Sequence, residues 1–201
     1  MRARTAFLLL GALLCGCPLP QPIPETGKSG PITPPRVVAD DTIQAVRLPQ
    51  TVVEVPAGCS TAPSYVLGAP LRDPNTTEPV VARWFVNYDP RQLPNPSVVV
   101  QQEDDIPAPD ASADEPTLRQ TPTFTFAPYA WSTASGTGGG DGSVEGALHV
   151  VELVVSNGFD TAFDLSTAAR PFRKPLLNFE VQVFRWVFLT VAPSSDAPCP
   201  P

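Results

Sequence analysis

The chain has 201 residues, 42% of them hydrophobic, which is enough to enclose a core of ordinary domain size. Its 27 prolines and 13 glycines disfavour long helices and favour short strands joined by turns. Against 13 Lys and Arg stand 20 Asp and Glu, a net charge of -7, and no Lys/Arg cluster is present to displace phosphate counterions, so a nucleic-acid partner is excluded.

The N-terminus begins with Arg2 and Arg4, followed by the apolar run AFLLLGALL from Ala6 to Leu14. A membrane-spanning helix needs roughly 20 apolar residues and a signal h-region about 7 to 15, so this run predicts a cleaved leader. Next comes Leu14-Cys15-Gly16-Cys17, which resembles the bacterial lipobox. Taking Cys15 as the modified residue would place bulky Leu13 and Leu14 just before it, where the motif favours small side chains; Cys17 fits. The resemblance implies removal of residues 1–16, a diacylglycerol on the Cys17 thiol and a tether to the membrane of a bacterial cell envelope. Pro18 in place of the Asp linked to inner-membrane retention points, by the same resemblance, to the outer membrane. The alternatives are ordinary secretory cleavage with Cys17 left as a free thiol, and a CxC metal site, for which no His or further Cys lies nearby. Loss of the leader leaves 11 basic against 20 acidic residues, a net charge of -9.

From Cys17 to Arg36 the chain is dense in proline, a semi-extended spacer; its residues 18–35 span up to ~55 Å at ~3.1 Å per residue. The GKS at Gly27 to Ser29 lacks the preceding glycine and strand of a phosphate-binding loop. Residues 37–201 then read as one domain. Candidate strands are Thr42 to Leu48, Thr51 to Val55, Ser64 to Leu67, Val80 to Tyr88, Ser97 to Gln101, Thr123 to Phe126, Leu148 to Ser156 and Phe179 to Val191. Seven or eight short strands without an amphipathic helix predict an all-β, antiparallel β-sandwich.

In Val80 to Tyr88 the even positions are apolar, which predicts one core face and one wet face. Leu148 to Val155 is apolar on both faces except at His149 and Glu152, which predicts a central strand. Phe179 to Val191 carries Val181, Val183, Val187, Leu189 and Val191 on one face and Phe184, Trp186 and Phe188 on the other. "VARWFVNYD" and "ALHVVELVVSNGFD" resemble strands of immunoglobulin-like and cadherin-like domains of bacterial surface lipoproteins. The resemblance implies that Trp84 is the core tryptophan, while Asn157, where such domains often have Asp, departs from the calcium-binding pattern.

An exported compartment favours pairing of Cys59 with Cys199, the alternative being two free thiols. The acidic stretch Glu103 to Glu115 suits a calcium ion by ligand type but lacks the ordered spacing of a calcium loop, so residues 102–120 are expected to form a solvated loop. Residues 135–146 are expected to form a glycine-rich connector. His149, the sole histidine, has no triad or metal-binding partners in the sequence, and is expected to be structural. Phe184, Trp186 and Phe188 form a binding surface if exposed and a core face if another segment covers them. The expected protein is an envelope lipoprotein with a structural or protein-interaction role, without catalysis or cofactor. The alternative is a glycan- or peptide-binding module that uses this aromatic face.

Overall fold

The computed structural model describes residues 33–38, 52–91, 100–110, 114, 117–131, 142–160, 172–195 and 197–200. Within them ten strands follow in chain order: β1 (Arg36–Val37), β2 (Val52–Pro56), β3 (Tyr65–Leu67), β4 (Pro70–Arg72), β5 (Val80–Val86), β6 (Gln102–Ile106), β7 (Leu118–Gln120), β8 (Phe124–Phe126), β9 (Leu148–Ser156) and β10 (Gln182–Val191). The described residues hold one 3-10 turn, Pro128–Ala130, and no helix long and apolar enough to cross a membrane. All ten strands belong to one unit, Pro31–Pro201.

Five strands form the larger sheet in the order β2-β10-β9-β5-β6. β2 runs parallel to β10, and the other neighbours are antiparallel. β9 lies in the middle, as its apolar residues on both faces predict. A second sheet has the order β1-β4-β7, and β3 pairs with β8 in a two-stranded ladder.

The two smaller ladders are one structure interrupted by a bulge. Leu67 faces Phe124 and Pro70 faces Gln120, so the β7–β8 side carries one extra residue. Pro122, in that extra stretch, has no N–H to give to a ladder. Thr121 replaces the missing contact: its Oγ1 accepts from the Ala69 N–H at 2.8 Å, and its own N–H donates to the Ala69 carbonyl at 3.1 Å.

One buried cluster joins the two layers, an all-β arrangement compatible with a β-sandwich. Trp84, Val151, Leu153, Trp186 and Phe188 enter it from the five-stranded sheet, and Leu67, Leu71, Phe124 and Phe126 from the opposite strands. The ring of Trp84 stacks on Phe124 at 5.2 Å and on Trp186 at 5.5 Å, and Phe126 meets Phe188 at 4.7 Å. These offset and tilted geometries add to the area that each ring removes from water.

Two expectations are corrected, and one pair of alternatives is decided. First, the acidic stretch is not a loop throughout: Gln102–Ile106 pairs with β5, and Leu118–Gln120 forms β7, so 102–120 contains two strands. The ladder to β5 supplies what strand propensity lacks, and carboxylates along an edge strand discourage pairing with another chain. The predicted strand Ser97 to Gln101 is displaced to this segment, its residues 97–99 lying outside the described residues. Second, the outer face of β5 is not wet, because Arg83 and Phe85 are buried under a later segment. Of the two alternatives for the aromatic face, the core face holds: Trp186 and Phe188 are fully buried and Phe184 packs half-buried against the core, so Phe184, Trp186 and Phe188 do not form a binding surface.

The predicted strand Thr42 to Leu48, Cys17 with its leader, the spacer up to residue 32 and residues 135–141 of the glycine-rich connector lie outside the described residues.

Candidate interaction surface

Strand β10 alternates with period two, so its sequence divides cleanly between faces. Phe184, Trp186, Phe188 and Thr190 point between the layers, leaving Val183, Arg185, Val187, Leu189 and Val191 outward. Register extends this outer face across the sheet: Val187 lies beside Val52 of β2 and Val150 of β9, and Leu189 beside Glu54 and Leu148.

The outer face has two parts. The first is covered by the chain that connects β9 to β10. Residues 158–160 and 174–176 run alongside each other, with Asp160 N–H donating to the Lys174 carbonyl and Leu176 N–H to the Gly158 carbonyl. Phe159 and Phe172 pack there against Phe85 and Val154, with Val181 and Val183 alongside. A Cβ on Gly158 would meet Leu176 Cδ1 at 2.8 Å, so a larger residue there displaces the exposed end of the Leu176 side chain.

Charges are enclosed with these rings. Glu152, on the outer face of β9, is buried and pairs with Arg173 and with Arg185, the latter at 2.6 Å. The Arg173 guanidinium lies 3.6 Å from the Tyr88 ring centroid and 4.9 Å from that of Phe85. Burial lowers its pKa to about 10, with Tyr88 acting to raise it and Arg185 to lower it. It therefore stays charged at neutral pH. Arg83 pairs with Glu103, donates to the Phe172 carbonyl at 2.8 Å and lies 4.2 Å from the Phe159 ring centroid.

The second part is an aliphatic band. Val52 is 51% exposed and Leu148 49%, with half-buried Val150, Val187 and Leu189 between them. None of the five belongs to either buried cluster. The sequence contained the signal for this band in the alternate Val and Leu residues of Phe179 to Val191. Aromatic size pointed to the opposite face, which the fold uses for its core.

The remaining polar features hold the scaffold. Asp73 and Arg119 form an ion pair at 3.0 Å with side chains 0% and 2% exposed. Asn157 donates to the same Asp73 oxygen at 3.0 Å, and Arg119 donates to the Asn75 carbonyl at 2.6 Å. Desolvation lowers the Arg119 pKa, and the Asp73 charge opposes that shift. Asn157 thus ties its amide nitrogen to the buried Asp73–Arg119 pair, part of the scaffold. Among the described residues no three His, Cys, Asp or Glu side chains are grouped to hold a metal ion.

His149 is fully buried beside Phe126, at the end of the β5–β9 ladder. Asn87, at φ 48°, accepts from the Val150 N–H through Oδ1, which aims its amide nitrogen at His149 Nδ1, 2.9 Å away. Nδ1 is thereby the acceptor and the ring proton sits on Nε2. The histidine serves packing and ladder termination.

Cys59 and Cys199 are joined, with Cα atoms 5.5 Å apart across 140 residues. Parallel pairing explains the meeting: β2 and β10 leave the sheet side by side, and Ala57 N–H still bonds the Val191 carbonyl. Tyr129 secures the turn, its hydroxyl bonding the Pro56 carbonyl and accepting from the Cys59 N–H at 3.1 Å.

No protein-family model matches the chain, and no curated protein or solved structure is significantly similar to it.

Proposed function

We propose that the chain is a lipid-anchored protein of the bacterial cell envelope whose immunoglobulin-like domain has a structural or protein-interaction role without catalysis. The observation that carries the interaction reading is the aliphatic band Val52, Leu148, Val150, Val187 and Leu189. Contiguous apolar surface on an otherwise acidic domain marks contact with another macromolecule. Support for the immunoglobulin-like reading comes from Trp84 at the centre of the core, on the strand flanked by β9 and β6. Support for the anchor comes from the lipobox-like Leu14-Cys15-Gly16-Cys17, and Pro18, in place of the Asp linked to inner-membrane retention, supports the outer membrane.

Detergent extraction of the intact protein, with identification of co-purifying proteins, tests the interaction role. Leu189→Glu puts a charge in the middle of the band while leaving the core face of β10 unchanged. The expected result is loss of a specific partner by a variant whose thermal melt matches that of the parent. An unchanged set of partners sinks the reading. Cys17→Ser is expected to move the protein from the membrane to the soluble fraction and to abolish labelling by a fatty acid; retention with label overturns the anchor.

A further inference from the structure

Beside β1, at the rim of the smaller sheet, Thr33, Arg36, Val37, Val38, Arg72, Pro74 and Thr117 line a cleft of about 400 Å³. Arg36 and Arg72 are directly opposed across the antiparallel β1–β4 pair, and both are exposed. Like charges in that position repel, which destabilises a sheet. The other cationic side chains of the described residues all have a carboxylate: Arg83 has Glu103, Arg91 has Asp89, Arg119 has Asp73, Arg173 and Arg185 share Glu152, and Lys174 has Asp160. Among the described residues, Arg36 and Arg72 alone form no ion pair, although the chain carries 20 acidic residues against 13 basic.

We propose that this cleft binds the phosphate group of a phosphate monoester or diester. Arg36, Arg72, Thr33 and Thr117 are among the residues of its mainly apolar lining, and a tetrahedral oxyanion offers acceptors to more guanidinium and hydroxyl donors than a planar carboxylate does. Val37, Val38 and Pro74 add an apolar wall, and the cleft has room for the carbon body of an ester as well as its charged head. Bound phosphate would relieve the repulsion between the arginines, which explains why an acidic domain keeps them unpaired. The source is either a soluble phosphoester or the headgroup of an anionic lipid. The site stands whether or not Cys17 is acylated.

Binding is tested on the full chain carrying Cys17→Ser, so that no acyl chain inserts by itself. One arm titrates glycerol 3-phosphate by calorimetry at low salt; the other measures sedimentation with phosphatidylglycerol vesicles against phosphatidylcholine vesicles. Binding to glycerol 3-phosphate alone identifies a soluble ester, binding to the anionic vesicles alone a lipid headgroup, and binding to both a site that reads the phosphate itself. In each case Arg36→Gln with Arg72→Gln is expected to weaken binding by ~10-fold or more, with the two lysine substitutions falling between, because lysine keeps the charge and loses the fork. Arg91→Gln, on an exposed arginine outside the cleft, is expected to change nothing. Failure to bind either probe, or binding that survives the double glutamine variant with a normal melt, overturns the proposal.

Discussion

The two faces of the five-stranded sheet are built from the same strands and differ in what covers them. Inward, Trp84, Trp186 and Phe188 meet side chains from the opposite strands and are fully buried. Outward, the face changes along its own length: one part lies under Phe159, Phe172 and Arg173, and the other presents Val52, Leu148, Val150, Val187 and Leu189. Hydrophobicity alone does not separate these environments, since all three contain large apolar side chains. What separates them is whether a second layer of chain reaches that surface.

Substitutions on the two faces test this contrast directly. Trp186→Ala leaves a large cavity between the layers and is expected to cost ~3–5 kcal/mol, read as a lower urea midpoint. Removing one member of the enclosed ion pair, as in Arg119→Met, strands the Asp73 carboxylate and is expected to cost about 3–5 kcal/mol. The double variant Asp73→Leu with Arg119→Met is expected to recover much of that loss, since the desolvation penalty then disappears with the charges.

Replacing Cys59 and Cys199 together by serine releases a closure across 140 residues and is expected to cost up to ~5 kcal/mol on the chain-entropy model. Unreduced mass spectrometry of the parent should show a mass two hydrogen atoms below the dithiol form. Leu189→Ser, on the open part of the outer face, is expected to change stability by only about 0.5 kcal/mol. Equal losses from Trp186→Ala and Leu189→Ser would erase the distinction between the two faces.

The outer cluster offers an intermediate case. Glu152→Gln removes the charge that pairs with Arg173 and Arg185 and keeps the shape of the side chain. Its effect is expected to fall between the two extremes and to be reduced at high salt on the exposed Arg185 side, where screening is effective. A double-mutant cycle with Arg173 separates the buried pairing from the exposed one.

Much of the strand pattern was legible before any coordinates. Leu148–Ser156 forms as expected, and the strands at Val80, Ser64, Thr123 and Phe179 are found with shortened ends. The missed strands are β1, of two residues, and β4 and β7, of three each, and β6 carries two aspartates and a glutamate. Their strand state comes from ladders supplied by neighbours, which local propensity does not contain. The disulfide was expected from compartment. Why Cys59 and Cys199 meet follows only from the parallel pairing of β2 with β10.

The sequence by itself determined the all-β class, the central place of β9, the core role of Trp84 and the period-two division of β10 into an aromatic and an aliphatic set. These depend on spacing along the chain and on side-chain chemistry, which are local. Only the tertiary structure decided which set faces inward, that Arg83 and Phe85 are enclosed under the connection between β9 and β10, and that Arg36 stands opposite Arg72. Each of those outcomes depends on which distant segment arrives at a given surface, and a period of two is equally satisfied by either face.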